Sequence, residues 1–337
     1  MSIWDLFVWL QQKNRQYNLG TSPSKAQTAT TDMHRKYRNE INKKSKVNTK
    51  SEINKKGEGR TNKSSEVNKK RGGSITRNMR FILLLIKLKL SHMMVFRFNF
   101  FGAFIADGLL FLTQVLFFQL IFSQVDRIGD WGSGEMLIFI GTFSMINGLN
   151  MLIYFFGVIA IPEKIQTGDL DLYLTKPVNP LLRLTFEQVN PGSFFLLPLS
   201  AGIVWFGVRE LGVTVTPLLL LGYIVLLLLM TLLYYNMEVI LRTLPFFFIS
   251  TGAIDRFEGS VLELNFKVPG IIYQGGFKIL FYFILPYGIM ATVPTQALAG
   301  QLTLAGLIQA LSVVVVFTIF TLWFWRLGLR NYKSASS

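Results

Sequence analysis

"PLLLLGYIVLLLLMTLLYYNMEVI", residues 217–240, decides the class of this chain. Glu238 is its one charged residue, and the run exceeds the ~20 apolar residues a helix needs to cross a hydrocarbon core about 30 Å thick. Working outward, comparable runs fall at about 100–123, 136–160, 191–208, 277–298 and 303–325, which makes six spans. The third is short and contains Pro198; the fifth contains Pro286 and Pro294. Composition agrees, since 51% of the 337 residues are hydrophobic, 14% aromatic and 16% charged, with a mean hydropathy of +0.41. A soluble protein of this size needs less apolar surface. The expected fold is an all-α polytopic membrane protein with six transmembrane helices, an N-terminal interfacial helix and a short cytoplasmic helix between spans two and three.

The net charge of +15 is unevenly spread. Residues 11–80 hold 19 Lys or Arg against 5 Asp or Glu, and the remainder is nearly neutral. Residues 1–78 therefore read as a disordered, basic, low-complexity tail, with the imperfect repeat "EINKK" at 40–44 and 52–56 and "EVNKK" at 66–70. Such a tail either meets anionic lipid headgroups or is simply solvated. It lacks the stacking aromatics of a nucleic-acid binder, so no nucleic-acid partner is expected. From Met79 the text changes to "MRFILLLIKLKLSHMMVFRFNF", whose Arg80, Lys87, Lys89 and Arg97 interrupt the apolar run too often for a span. Long basic stems snorkel, and an interfacial helix fits.

Loop charges set the expected orientation. Lys164, Lys176, Arg183, Arg242, Arg256, Lys267 and Lys278 fall in the loops after spans two and four, and Arg326, Arg330 and Lys333 follow span six. The loops on the other side hold Arg127 and Arg209. The positive-inside rule then places both termini in the cytoplasm, which requires an even number of spans.

Between spans two and three the chain reads "IPEKIQTGDLDLYLTKPVNPL", residues 161–181. Pro162 is expected to break the second helix at the membrane surface, and Thr167, Gly168 and Asp169 to turn the chain into a new helix near Leu170. Leu170, Tyr173 and Leu174, at i, i+3 and i+4, form one apolar stripe. Pro177 and Pro180 stop it. Two readings are open on spacing alone: the stripe docks into a groove on another protein, or it lies against lipid headgroups.

This stretch, with "FSQVDRIGDW" and "GTFSMINGL" before it, resembles the permease subunits of type-2 ATP-binding-cassette transporters, and within them a bacterial six-span branch. The matching positions are Pro162, Glu163, Lys164, Gly168, Asp169, Leu170, Asp171, Leu174, Lys176, Pro177, Asn179, Pro180 and Leu181. The resemblance covers about 79–333, the expected permease domain, and implies that residues 162–181 are a cytoplasmic coupling loop. Glu163, Lys164, Gly168, Asp169, Asp171, Lys176, Pro177, Asn179 and Pro180 would then seat on a separate ATPase subunit. It further implies a second permease, identical or homologous, in a dimer of the bacterial inner membrane, and ATP and Mg bound by the partner ATPase. The residues support that division of labour, because no G-x-x-x-x-G-K-[S/T] loop occurs to cradle phosphates.

Within the spans, Asp107 in the first shares a helical face with Ala103 and Gln114. It is expected either to line a substrate path or dimer interface, or to be satisfied by a neighbouring helix. In span two, Gly141, Ser144 and Gly148 read as a close-packing face with Asn147 beside it. Pro286, Gly288 and Pro294 break span five into either a kink or a re-entrant turn, and the resemblance makes the latter a possible outer gate. Residues 243–275 read as an amphipathic cytoplasmic segment with Asp255, Arg256, Glu258 and Glu263 solvated. With no cysteine and only His34 and His92, no metal site is expected, and no nucleophile and base assemble into a catalytic set. The expected function is an exporter's permease subunit, not an enzyme; the competing class is a passive channel or structural membrane protein without an ATPase.

Overall fold

The computed structural model describes residues 97–176, 178–248 and 252–332. The expected tail over 1–78, the entry helix from Met79 and Pro177 lie outside the described residues. Among the described residues the regular structure is helical, with one isolated bridge between Ile128 and Trp131.

Helix α1 spans Arg97–Phe122 and, at 26 residues, is about 39 Å long. A corner at 123–132 leads into α2, Ser133–Ile153. Four short helices follow: α3 Phe155–Ile159, α4 Ile161–Thr167, α5 Asp171–Leu174 and α6 Pro180–Phe186. A 3-10 turn at Pro191–Phe195 enters α7, Leu196–Leu211, and α8 is Pro217–Thr243. Then come α9 Gly252–Lys267, α10 Gly275–Ile279 with a π turn at Leu280–Ile284, α11 Tyr287–Met290, α12 Thr292–Leu298 and α13 Leu304–Asn331.

By length and composition, Ser133–Ile153, Gly192–Leu211, Pro217–Phe246 and Leu304–Asn331 each suffice to cross a membrane. Their limits follow local chemistry. Thr216 and Thr303 cap α8 and α13, their hydroxyls accepting from Leu219 N and Gly306 N. Gly212, in the left-handed region at φ 66°, ends α7. Pro198 does not disturb the third span, because it sits in the first turn of α7, where its missing N–H has no helical partner to lose.

Helices α2 and α7 approach almost backbone to backbone. A Cβ on Gly141 would stand 2.9 Å from the Ser200 carbonyl oxygen, and one on Gly207 would stand 2.6 Å from that of Gly134. Gly148 continues this face against Leu196 and Leu197, and Ser144 is buried beside it. The packing face expected in span two is thus occupied by α7. Asn236 on α8 donates to Thr318 on α13 at 2.8 Å, and the Tyr223 and Thr142 hydroxyls meet at 2.9 Å, tying α8 to α2.

The helix ends sort into two groups. Gly328 near the end of α13 packs on Thr243 and Phe246, and Trp325 shares a cluster with Leu170, Tyr173 and Val239, so the ends of α8 and α13 lie with α4–α6. This is the basic end, with Lys164, Lys176, Arg183, Arg326 and Arg330. The 123–132 corner and residues 299–303 form the opposite end.

The fifth span differs from expectation. Residues 277–298 are not one crossing but two helical arms, Gly275–Ile284 and Tyr287–Leu298, bent by 79° around buried Pro286. Both outer limbs return to one corner. Ile271 joins the cluster of Trp131, Met136 and Phe139, its Cδ1 3.3 Å from where a Cβ of Gly129 would stand. Gln301 accepts from Trp131 Nε1 at 3.0 Å and donates to Glu135 Oε1 at 2.9 Å. Of the two readings of Pro286, the re-entrant one describes the whole segment, a hairpin entering from the opposite end.

The stretch expected to lie at the cytoplasmic surface runs along the bundle from its basic end. Glu258 on α9 accepts from Arg242 at 2.6 Å, and Arg242 lies about 37 Å along α8 from Pro217. Ile271, thirteen residues later, is at the opposite end. Nine residues of helix rise about 14 Å and the four residues after it add at most about 14 Å, so α9 has to run along the bundle. Among the described residues four helices are long and apolar enough to cross a membrane, or five if the bent pair counts as one span, and α9 lies beside them. The hydropathy of α9 hid this, because it carries charges that the bundle accommodates by pairing.

Candidate coupling site

The segment between α2 and α7 is built as a compact plug on the basic end. The chain turns at Tyr154, φ −136° and ψ −19°, eight residues before Pro162, where the second helix was expected to break. Pro162 instead occupies the first turn of α4, which its fixed φ favours. Gly168, φ 79°, ends α4 in the left-handed conformation, and the Thr167 hydroxyl lies 3.0 Å from both the Glu163 carbonyl oxygen and Asp169 Oδ2. Asn179 caps α6, its Oδ1 accepting from Leu181 N at 2.9 Å, and Pro180 fills the first helical position. Gly157 permits α3 to touch α6, since a Cβ there would stand 2.0 Å from the Leu184 carbonyl oxygen.

The expected apolar stripe is divided. Leu170 and Tyr173 face inward, packed with Tyr154, Val158, Ile161, Leu181, Leu184, Val239 and Trp325. They are therefore committed to this chain's own core and are not offered to a partner or to headgroups. Leu172 is 62% exposed and Leu174 39% exposed. The outward surface thus includes Leu172, Leu174, Glu163, Asp169, Lys176 and Asn179.

Tyr173 pins the plug. Its hydroxyl accepts from Lys164 Nζ at 2.6 Å and donates to Glu187 Oε2 at 2.6 Å, while the Arg183 guanidinium lies over the ring at 4.4 Å. Burial, then the hydrogen bond to Glu187, pushes the Tyr173 hydroxyl above its ordinary value, so it is a neutral phenol at physiological pH. Tyr332, just beyond α13, is also pushed up, first by burial and then by the Asp171 carboxylate. The last helix is thereby in contact with the plug.

The site residues inferred from sequence separate into three places. Glu163, Lys164, Gly168, Asp169, Asp171, Lys176, Asn179 and Pro180 belong to the plug; Pro177 lies outside the described residues. Gln114 is buried on α1 and Asn147 half-buried on α2, while Asp107 lies in α1 with its side chain outside the described residues. Pro286, Gly288 and Pro294 are buried in the hairpin. Sequence reasoning missed the pinning roles of Tyr173, Arg183 and Glu187, and the exposure of Leu172. Alternation of Leu with other residues in "DLDLYL" could not say which leucine faces out.

The family model described as "ABC-2 family transporter protein" matches residues 109–336, more than half of the chain. The chain belongs to the ABC-2 transporter family. It is a multi-pass membrane protein and a permease component of an ATP-binding-cassette transporter, a non-enzymatic role. No curated protein and no solved structure matches it.

Proposed function

We propose that this ABC-2 permease is the membrane subunit of a bacterial inner-membrane exporter, with the basic end in the cytoplasm and the α4–α6 plug seated on a separate ATPase subunit that binds ATP and Mg. A second permease, identical or homologous, completes the route. The reading is carried by the plug. Helices α4–α6 are cross-braced by Tyr173 and anchored on α8 and α13, while Leu172, next to Asp171, is exposed. Exposed leucines, Leu172 foremost, beside the exposed Glu163 and Asp169 suit a pocket on a protein partner, and a braced plug transmits displacement as a rigid body. Orientation is supported by basic residues, of which Lys164, Lys176, Arg183, Arg326 and Arg330 lie at one end and Arg127, Arg209 and Lys278 toward the other. Family membership weighs against a channel or scaffold working without an ATPase.

Mild-detergent purification of the tagged chain from its native host tests this. An ATPase subunit should accompany the wild type and be lost from Leu172→Asp, which alters only an exposed side chain. Retention in Leu172→Asp, or no ATPase with the wild type, refutes the reading.

A further inference from the structure

Helix α13 turns one continuous face outward. Ser312, Val315, Ile319, Trp323, Arg326 and Arg330 recur at intervals of three, four, four, three and four residues and are all exposed, which aligns them as a single stripe. Its upper part is apolar in effect, because the Ser312 hydroxyl is turned back to donate to the Ile308 carbonyl oxygen at 2.8 Å. Its lower part, at the basic end, is two guanidinium groups one turn apart. Neither has a carboxylate partner among the described residues.

The stripe has relief. Trp323 ends a run of ring contacts in which it meets Phe320 at 5.6 Å, Phe320 stacks on Phe324 at 5.6 Å and Phe324 stacks on Phe247 at 5.4 Å. The indole is thereby held as a fixed plate next to the arginines. Further up, α13 and the first arm of the hairpin leave a depression of about 580 Å³, almost wholly apolar, with Phe283, Val313, Val316 and Phe317 among its walls. Val316 precedes Arg326 by ten residues, a rise of about 15 Å. A lipid chain fills half of a hydrocarbon core about 30 Å thick, which is the same length.

We infer that this face of α13 is a binding site for one anionic phospholipid, with its phosphate on Arg326 and Arg330, its ester region against Trp323 and one acyl chain laid along Ile319 into the depression at Val316. Charge selects the occupant. Two guanidinium forks without carboxylate partners match a phosphate bidentately, and a lipid of net negative charge gains more from them than a zwitterionic one. A second copy of the chain is disfavoured, because it would share this chain's orientation in the membrane, and a symmetric seam along the stripe would set guanidinium against guanidinium. On the opposite face of the same helix end, Trp325 packs with Leu170 and Tyr173. The bound lipid therefore braces the part of α13 on which the plug rests. The inference needs only that the chain is a membrane protein, not that it exports or meets an ATPase.

The test uses the full chain in phosphatidylcholine nanodiscs doped with a trace of either phosphatidylglycerol or phosphatidylcholine that carries a diazirine on its acyl chain. After irradiation, labelled peptides are mapped by mass spectrometry. Phosphatidylglycerol should label the Val315–Trp323 stretch of α13 about tenfold or more over phosphatidylcholine. Arg326→Gln with Arg330→Gln should bring it down to the phosphatidylcholine level, and Arg326→Lys with Arg330→Lys should keep most of the preference. Arg209→Gln with Lys278→Gln, at the opposite end, should leave it unchanged. Equal labelling by the two lipids, or a preference that survives the double glutamine change, would overturn the inference. The chain has no cysteine, so Ile319→Cys supplies a single thiol. A disulfide between two copies of that variant under mild oxidation would make the face a seam between chains, and would overturn it too.

Discussion

Replacing Arg242 by methionine is the sharpest challenge to the fold, because that side chain joins α8 to α9 at the basic end by a buried ion pair. Its Nη2 lies 2.6 Å from Glu258 Oε2 and 3.6 Å from Glu238 Oε2, and all three side chains are at most 3% exposed. Removing the cation takes from two buried carboxylates the guanidinium they share. Breaking a buried pair from one side costs about 3–5 kcal/mol. Glu258→Gln is milder, because the amide still accepts from Arg242 and Glu238 still balances the guanidinium; the expected loss is about 1–2 kcal/mol. At about 2–4 °C per kcal/mol for a domain of this size, Arg242→Met should lower the unfolding midpoint by roughly 6–20 °C and Glu258→Gln by roughly 2–8 °C. The triple change Arg242→Met, Glu238→Gln, Glu258→Gln should recover at least half of the Arg242→Met loss, since it removes the stranded charges. Thermal unfolding in lipid nanodiscs, read by loss of the monodisperse peak after heating, gives the order. Arg242→Met unfolding no earlier than Glu258→Gln would refute the reasoning.

Three further outcomes are expected. Gly157→Ala places a methyl 2.0 Å from the Leu184 carbonyl oxygen, so α3 and α6 have to separate by more than an ångström, at a cost of about 3 kcal/mol, measurable as accelerated proteolysis of the 161–187 segment. Lys278→Cys should label from the same side as Arg209→Cys with an impermeant maleimide, because the hairpin enters from the opposite end; labelling from the basic end would restore a plain fifth span. Tyr173 has a raised folded-state pKa, so its neutral form stabilises the plug fully below pH ~10, the unfolded value, and that contribution is lost as pH rises through the folded value. Tyr173→Phe should therefore flatten the alkaline limb of the stability profile relative to wild type, with no difference in slope between pH 6 and 9.

How the sequence and the structure divide the work is clearest at particular residues. Hydrophobic length fixed α2, α7, α8 and α13, since a run of about 20 apolar residues has one physical solution in a bilayer, and the small residues of α2 announced close packing. The loop 161–181 announced its turns through Gly168, Asn179 and Pro180, whose conformational limits are local. Which side of "DLDLYL" faces inward was not local: it depends on Val239 and Trp325, brought from 69 and 155 residues beyond Leu170 by the packing of α8 and α13. The same holds for α9 and the hairpin. Charges on α9 argued against a crossing, and the apolar text of 277–298 argued for one. The bundle carries α9 along its length, where Arg242 neutralises Glu258, and folds 277–298 into a hairpin, because Trp131 and Glu135 hold Gln301 at the corner that Ile271 also reaches. Hydropathy records what a segment prefers when alone, whereas the path of a helix through a bundle is set by the partners that satisfy its polar groups, and those are assembled only by the tertiary fold.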